Sequence, residues 1–357
     1  MLLPAAPAAR LSWRGSGYNA GVEGQALTWA NGTGSMSSVQ YFTDQGNLSP
    51  ILTGAQADAL VATAFSTWTS VPGVALTASQ GGHLAEDVNG SNIETNGYGI
   101  VTAPADITPS ATGTPVGIVY DYDGTVTNAI LGEGAGDLED CFTNAVYGGP
   151  DNFSIGGNIV HALVVINGVC AATSAQLPDV QYRLVRVLGR TVGLGWSQAN
   201  LNVLTRNTPP TSADFAGFPV MHFSDPIDCV PITICYPDPG VPAIDDMDAL
   251  ARLYPAGSTT QSAGRVYGSV YFTDASGNAV QPMQGVNVVA RLMILGQPSR
   301  QYVVTSVSGF SFCGNDGNII DGYVDGSGLP YNRWGSDDPS LEGFFDLGQL
   351  MIPSGQT

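Results

Sequence analysis

The sequence contains no lysine, and its eleven basic residues, all arginine, face thirty acidic residues, for a net charge of −19. A surface this negative repels phosphate backbones and anionic lipids, so nucleic acid and anionic membranes are not expected as partners. No apolar run approaches the roughly 20 residues that span a bilayer, and no membrane span is predicted. Histidine is also scarce, with only His83, His161 and His222.

The composition instead favours loops and strands, with 46 Gly, 23 Pro and 43% hydrophobic residues. A chain of 357 residues is long enough for two cores. Residues 1–10, MLLPAAPAAR, read either as the remnant of a secretory leader or as a disordered start. The fold class predicted for the remainder is α+β, followed by an all-β domain.

A polar linker at 256–264 separates a domain at 11–255 from one at 265–357. Strand patterns at 265–272, 285–293 and 302–312, with a turn at 274–278, predict a β-sandwich. This segment resembles the carboxypeptidase-regulatory-like modules of secreted bacterial proteins, which implies a spacer or adhesion role. Its abrupt end, IPSGQT, is expected to reflect a truncated C-terminal region.

Within the first domain, five segments have regular patterns. Strands are predicted at 39–43 and 160–169, and helices at 55–68, from 178 to the glycines at 193 and 195, and at 245–253. Proline and aspartate at the start of the fourth segment suit a helix N-terminus.

Five cysteines favour an oxidising, extracellular location. Cys141 is predicted to pair with Cys170, and Cys229 with Cys235. Cys313 is then left as a free thiol, an intermolecular bond or the partner of a residue outside this sequence.

The most informative segment is residues 186–198, RVLGRTVGLGWSQ. It resembles the zinc motif of metzincin peptidases, H-E-x-x-H-x-x-G-x-x-H, and its glycines resemble the matrixin branch. In this frame Arg186, Arg190 and Trp196 replace the three zinc ligands. Val187 replaces the glutamate that acts as general base.

Three other segments extend the resemblance over roughly residues 38–255. Residues 64–68 (AFSTW) are similar to the end of the first matrixin helix, and 218–221 (FPVM) to the turn whose methionine, here Met221, lies beneath the metal. Residues 245–255 (DDMDALARLYP) are similar to the closing helix. The resemblance implies a twisted sheet with an active-site-type helix and a C-terminal helix.

The resemblance fails where the chemistry would occur. Arginine remains protonated and repels zinc, and valine cannot activate water. Zinc proteolysis by the family mechanism is therefore not expected, and no zinc site is predicted.

Two interpretations of the arginines remain open. Arg183, Arg186 and Arg190 share one helix face and are suited to binding a carboxylate or phosphate, with His222 nearby as an acid or base. Alternatively, the arginines fill the vacated cavity. They would then pair with internal acids such as Glu86, Asp87 or Asp214, and Arg190 would stack on Trp196.

Carboxylates at Asp121 and Asp123 give a weak signal for structural calcium, with an ordinary Asp-Gly turn as the alternative. A second acidic region carries the same two interpretations, at Asp316, Asp321, Asp325, Asp337 and Asp338. No other cofactor is predicted.

The expected function is that of a secreted, non-proteolytic binding or scaffold protein for a small anionic or extracellular ligand. The alternative is a zinc-independent hydrolase that uses Arg186 and Arg190 to bind an anionic substrate, with His222 or a carboxylate as acid or base. The sequence leaves the oligomeric state open.

Overall fold

The computed structural model describes residues 13–14, 25–26, 28–29, 37–96, 101–153, 158–195, 197, 218–222, 241–257, 264–283, 286–308 and 343–350. It contains both helices and several sheets, so the predicted α+β class is confirmed.

A five-stranded sheet forms the centre of the first domain. Its strands, in chain order, are β1 Ser37–Thr43, β2 Leu76–His83, β3 Val116–Asp121, β4 Val146–Phe153 and β5 Ile159–Asn167. Their spatial order is β2-β1-β3-β5-β4. All neighbours are parallel except β4, which pairs antiparallel with β5 at one edge.

Among the described residues, five α-helices accompany the sheet: α1 Gly54–Thr69, α2 Thr125–Leu131, α3 Cys141–Asn144, α4 Leu177–Thr191 and α5 Ile244–Leu253. Short 3-10 turns span Ala105–Ile107, Leu138–Asp140 and Gly168–Ala171. Two-residue strands pair Trp13–Arg14 with Gln25–Ala26, and Glu94–Thr95 with Val101–Thr102.

The predicted elements of this domain are confirmed. Helices α1, α4 and α5 lie within one or two residues of their expected bounds. Helix α4 begins with Pro178 in its first turn, and after its end Gly193 adopts a φ of 96°, a conformation that disfavours any residue with a Cβ. The backbone conformation after α4 therefore explains why a glycine stands at this position of the motif.

The central sheet is covered on both faces, as the continuous apolar pattern of β5 predicts. Val164 and Ile166 face the main core with α1 and α4, whereas Val165 faces a smaller core on the opposite side. Between the two helices, the indole of Trp68 donates to Val185 O at 2.8 Å. Helix α4 is thereby fixed against α1 at the level of residues 185–189.

At Gly189, the side chains of Met221 and Trp68 lie close to the backbone of α4. A Cβ at this position would lie 2.5 Å from Met221 Sδ and 2.7 Å from Trp68 Cζ2. Both distances are shorter than real Cβ contacts, so the 218–222 turn packs directly on the helix backbone.

The described part of the C-terminal region forms six strands: β6 Gly264–Ser269, β7 Tyr271–Thr273, β8 Ala279–Pro282, β9 Asn287–Ile294, β10 Gln297–Val307 and β11 Phe344–Leu350. They pair antiparallel as β6–β11, β7–β8 and β9–β10. The predicted turn at 274–278 is confirmed, because Asp274 accepts from the backbone N–H groups of Ser276 and Asn278. The assembly of these strands into a sandwich stays a prediction.

Two of the predicted strand bounds differ from the structure. The expected strand at 265–272 is interrupted at Val270, whose N–H donates to Gly343 O. The strand expected from residue 302 begins five residues earlier, directly after the turn at Leu295–Gly296. Pro298 disfavours a strand in the sequence pattern, because proline has no N–H to donate to a sheet. It is tolerated here because it lies near the start of the strand, at the turn end of the hairpin.

We expect Gly189→Ala to destabilise the protein by about 1–3 kcal/mol through overpacking. An exposed helix would instead gain up to about 1 kcal/mol from the same change. Urea unfolding measures the difference, with Gly113→Ala as control because its added Cβ would meet nothing within 4 Å. A Gly189→Ala protein as stable as the control would contradict the close packing.

Candidate functional site

The guanidinium group of Arg186 lies inside the protein, at the position where the sequence motif has its first histidine. Its side chain is 8% exposed. Nη1 donates to Tyr182 Oη at 2.7 Å and contacts His222 Nε2 at 2.8 Å, and Nη2 donates to His222 O at 2.6 Å. The partners that the structure describes for this cation therefore lie on its own helix and on the 218–222 turn.

Arg186 and Tyr182 both face the imidazole of His222. Arg186 Nη1 lies 2.8 Å from Nε2 and 3.4 Å from Nδ1, and Tyr182 Oη contacts the same Nε2 atom while it accepts from Arg186. His222 is fully buried, and its ring nitrogens face these two side chains.

The 218–222 turn is held in place by a buried carboxylate. Asp246, in the first turn of α5, accepts from the backbone N–H groups of Val220, Met221 and Ala243 at 2.8–3.1 Å. Burial, followed by the charge of Asp245, raises the pKa of Asp246 to about 7 despite these bonds. The turn that carries Met221 and His222 therefore depends on the start of α5.

The neighbouring carboxylate joins three separate segments. Asp245 accepts from Ser197 Oγ at 2.6 Å and from Thr305 N, in β10, at 2.6 Å. Ser197 also donates its backbone N–H to Met221 O. The C-terminal strands thus contact the site through buried polar groups, which a spacer role alone does not require.

The other two arginines of α4 lie in different surroundings. Arg190 is partly exposed, and its pKa is lowered by burial and by the charge of Arg186. Arg183 stacks over the ring of Phe142, with its guanidinium carbon 4.8 Å from the ring centroid. The structure places Arg186 against His222 and Arg183 beside α3.

Two of the acidic residues predicted as partners of the arginines make other contacts. Glu86 accepts from Asn92 and Asp87 accepts from Asn89, within one exposed loop. These contacts do not support the prediction that Glu86 and Asp87 pair with the arginines, because both carboxylates accept hydrogen bonds within their own loop. Several predicted site residues lie outside the described part of the chain: Trp196, Asp214, Cys229, Cys235, Cys313, Asp316, Asp321, Asp325, Asp337 and Asp338.

The disulfide predicted between Cys141 and Cys170 is present. The weak calcium candidates both bind the start of α2. Asp121 accepts from the N–H groups of Val126 and Thr127, and Asp123 accepts from the N–H of Thr125. These contacts fit the Asp-Gly turn interpretation, and calcium binding stays a prediction.

The three histidines do not converge. His83 contacts Thr43, His161 contacts Asp151, and His222 contacts Arg186. Within the described ranges, no group of three His, Cys, Asp or Glu residues is arranged to hold a metal ion.

Sequence reasoning missed Tyr182, Ser197 and the tertiary roles of Asp245 and Asp246. A signal existed for Tyr182, because it lies one helical turn before Arg186 on the same face. The distant donors to Asp245 and Asp246 are not visible in sequence.

No protein-family model matches this chain, and no curated protein matches it. Among the helices that the structure describes, none is long and apolar enough to cross a membrane.

We expect Arg186→Lys to lower the free energy of unfolding by about 1–3 kcal/mol, because one ammonium cannot reproduce the three bonds of the buried guanidinium. Arg183→Lys is the matched control on the same helix, and its partly exposed side chain predicts a smaller loss. Equal stability of the wild type and Arg186→Lys in urea unfolding would refute the proposed role.

Stability should fall as the pH rises from about 4 to about 7. Burial raises the pKa of Asp44 to about 6 and that of Asp246 to about 7, so the folded chain binds protons more tightly than the unfolded chain. The stabilisation is complete below the unfolded pKa, 3.8, and is lost above about 7.

Thermal unfolding across this pH range tests the expectation. In Asp246→Asn the slope near neutral pH should flatten, and a wild-type melting temperature that rises with pH would contradict the assignment.

Proposed function

We propose that this chain is a metzincin-like protein that has lost zinc peptidase activity and acts as an extracellular binding or scaffold protein. The observation that carries the proposal is the buried Arg186–Tyr182–His222 cluster, which occupies the place of the first zinc ligand in the motif.

Several features support the metzincin-like part of the proposal. The helix that carries the motif-like segment ends before a glycine of positive φ, and Met221 lies against that helix at Gly189. The turn of Met221 is followed by a closing helix, in the order expected from the resemblance. These contacts would bring motif side chains and the turn together without any metal.

The chemistry of the cluster argues against a zinc ion at this position. A guanidinium group offers only donors and a permanent charge, so it cannot be a ligand and repels a dication. Arg190, at the second ligand position, adds another positive charge. Val187 has no proton to exchange, so no group is left to activate water.

The hydrolase alternative uses His222 or a carboxylate as acid or base. His222 is unsuited to that role, because it is fully buried and its Nε2 atom contacts Tyr182 and Arg186. A general base must reach the proton that it abstracts. If the hydrolase were correct, Arg186→Ala would abolish turnover of an anionic substrate and leave the fold intact.

The extracellular location is also a proposal. It is supported by the Cys141–Cys170 disulfide, because such bonds persist in oxidising compartments.

We expect the purified protein to contain no stoichiometric zinc and to leave casein intact, because both arginines repel the metal. Elemental analysis and a casein assay with and without a chelator measure this. Stoichiometric zinc or chelator-sensitive cleavage would overturn the proposal.

A variant that restores the zinc ligands and the general base tests whether residues 186–196 have the metzincin-like geometry. Arg186→His, Val187→Glu, Arg190→His and Trp196→His together should create a zinc site, whereas the same variant without Arg190→His should bind zinc much more weakly. Equal zinc binding by the two variants would count against the metzincin-like geometry.

A further inference from the structure

The β9–β10 hairpin ends in an exposed apolar tip. Leu295 is 99% exposed and Met293 is 56% exposed. Leu295 also has a φ of 49°, a conformation that is unusual for a bulky residue. This conformation belongs to the two-residue turn Leu295–Gly296 between the paired residues Ile294 and Gln297. The turn leaves the leucine side chain in solvent, so the exposed apolar tip is suited to a contact outside the monomer.

The segment that carries this tip differs in charge from the rest of the sequence, and Arg291, two residues before Met293, is exposed. Residues 264–308 contain one acid, Asp274, and three arginines, at 265, 291 and 300. The whole chain carries −19. The hairpin tip is therefore suited to an acidic surface that also offers apolar side chains.

A surface of that kind occurs on the first domain. The segment 131–142 exposes Leu131, Leu138 and Phe142, and Leu138 is 57% exposed. The segment has no basic residue and four acids, Glu133, Asp137, Glu139 and Asp140. Arg183 covers part of Phe142, so Leu131 and Leu138 would provide most of the apolar contact.

The acidic surface is held in a defined shape. The Cys141–Cys170 disulfide ties its end to the segment after β5. Asn128 accepts from the Gly136 N–H, and Asn144 donates to Ala135 O. Such a preorganised surface loses little conformational entropy when it binds.

We propose that the hairpin tip of one copy, at 293–295, docks on the acidic surface at 131–142 of a second copy. The two surfaces are different, so the contact is head-to-tail and leaves one free surface of each kind on the assembly. Both patches are small, so the association is weak. The net negative charge of each copy opposes the association. At physiological ionic strength, salt largely screens charges that lie more than about 8 Å apart, which reduces this repulsion.

Sedimentation velocity of the whole chain, at about 10 to about 500 µM and physiological salt, tests the proposal. The wild type should show weight-average mass increasing with concentration. Association should weaken about tenfold or more in a tip variant, Met293→Ser with Leu295→Ser, and in an acidic-surface variant, Leu138→Ser with Glu139→Gln. The control is Val280→Ser, which removes another exposed apolar side chain, 66% exposed, and should associate like the wild type.

Mixing the two double variants gives the decisive measurement. Each retains the surface that the other lacks, so the mixture should form one-to-one dimers and no larger species. A wild type that stays monomeric, a mixture without dimers, or a Val280→Ser protein as weakened as the tip variant would overturn the proposal. Binding of the wild type, but not the tip variant, to phosphatidylserine vesicles without self-association would assign the tip to lipid instead.

Discussion

Burial of the Arg186 guanidinium constrains the centre of the first domain. A buried cation is tolerated only when its donors are satisfied, and the described bonds of Arg186 go to Tyr182 and to the ring and carbonyl of His222. Those bonds require the 218–222 turn to lie against α4. The turn can come that close because residue 189 is glycine and leaves room for Met221.

The same turn depends on two carboxylates at the start of α5. Asp246 binds the backbone of Val220 and Met221, and Asp245 binds Ser197 and the C-terminal strand residue Thr305. A buried carboxylate that accepts from several segments is costly to disturb. The loss of one donor also displaces the other donors from their hydrogen-bonding positions. The proposed pseudoenzyme would therefore keep its site for structural reasons even without catalysis.

Much of the first domain could be predicted from local pattern. The periodicity of α1 and α4, the proline and aspartate that open α4, and the glycine that ends it gave bounds close to those observed. The Cys141–Cys170 pair was also predicted correctly. Of the acids predicted as partners of the arginines, Glu86 and Asp87 accept hydrogen bonds within their own loop, and Asp214 lies outside the described residues.

The sequence by itself determined which residues stand at the motif positions, and with them that Arg186 and Val187 cannot perform zinc chemistry. Only the tertiary structure decided that Arg186 is buried on His222 and that Thr305 reaches Asp245 from the C-terminal strands. The physical reason is the range of the interactions. Helix periodicity and capping are set by residues a few positions apart, whereas these bonds join groups 36 and 60 positions apart.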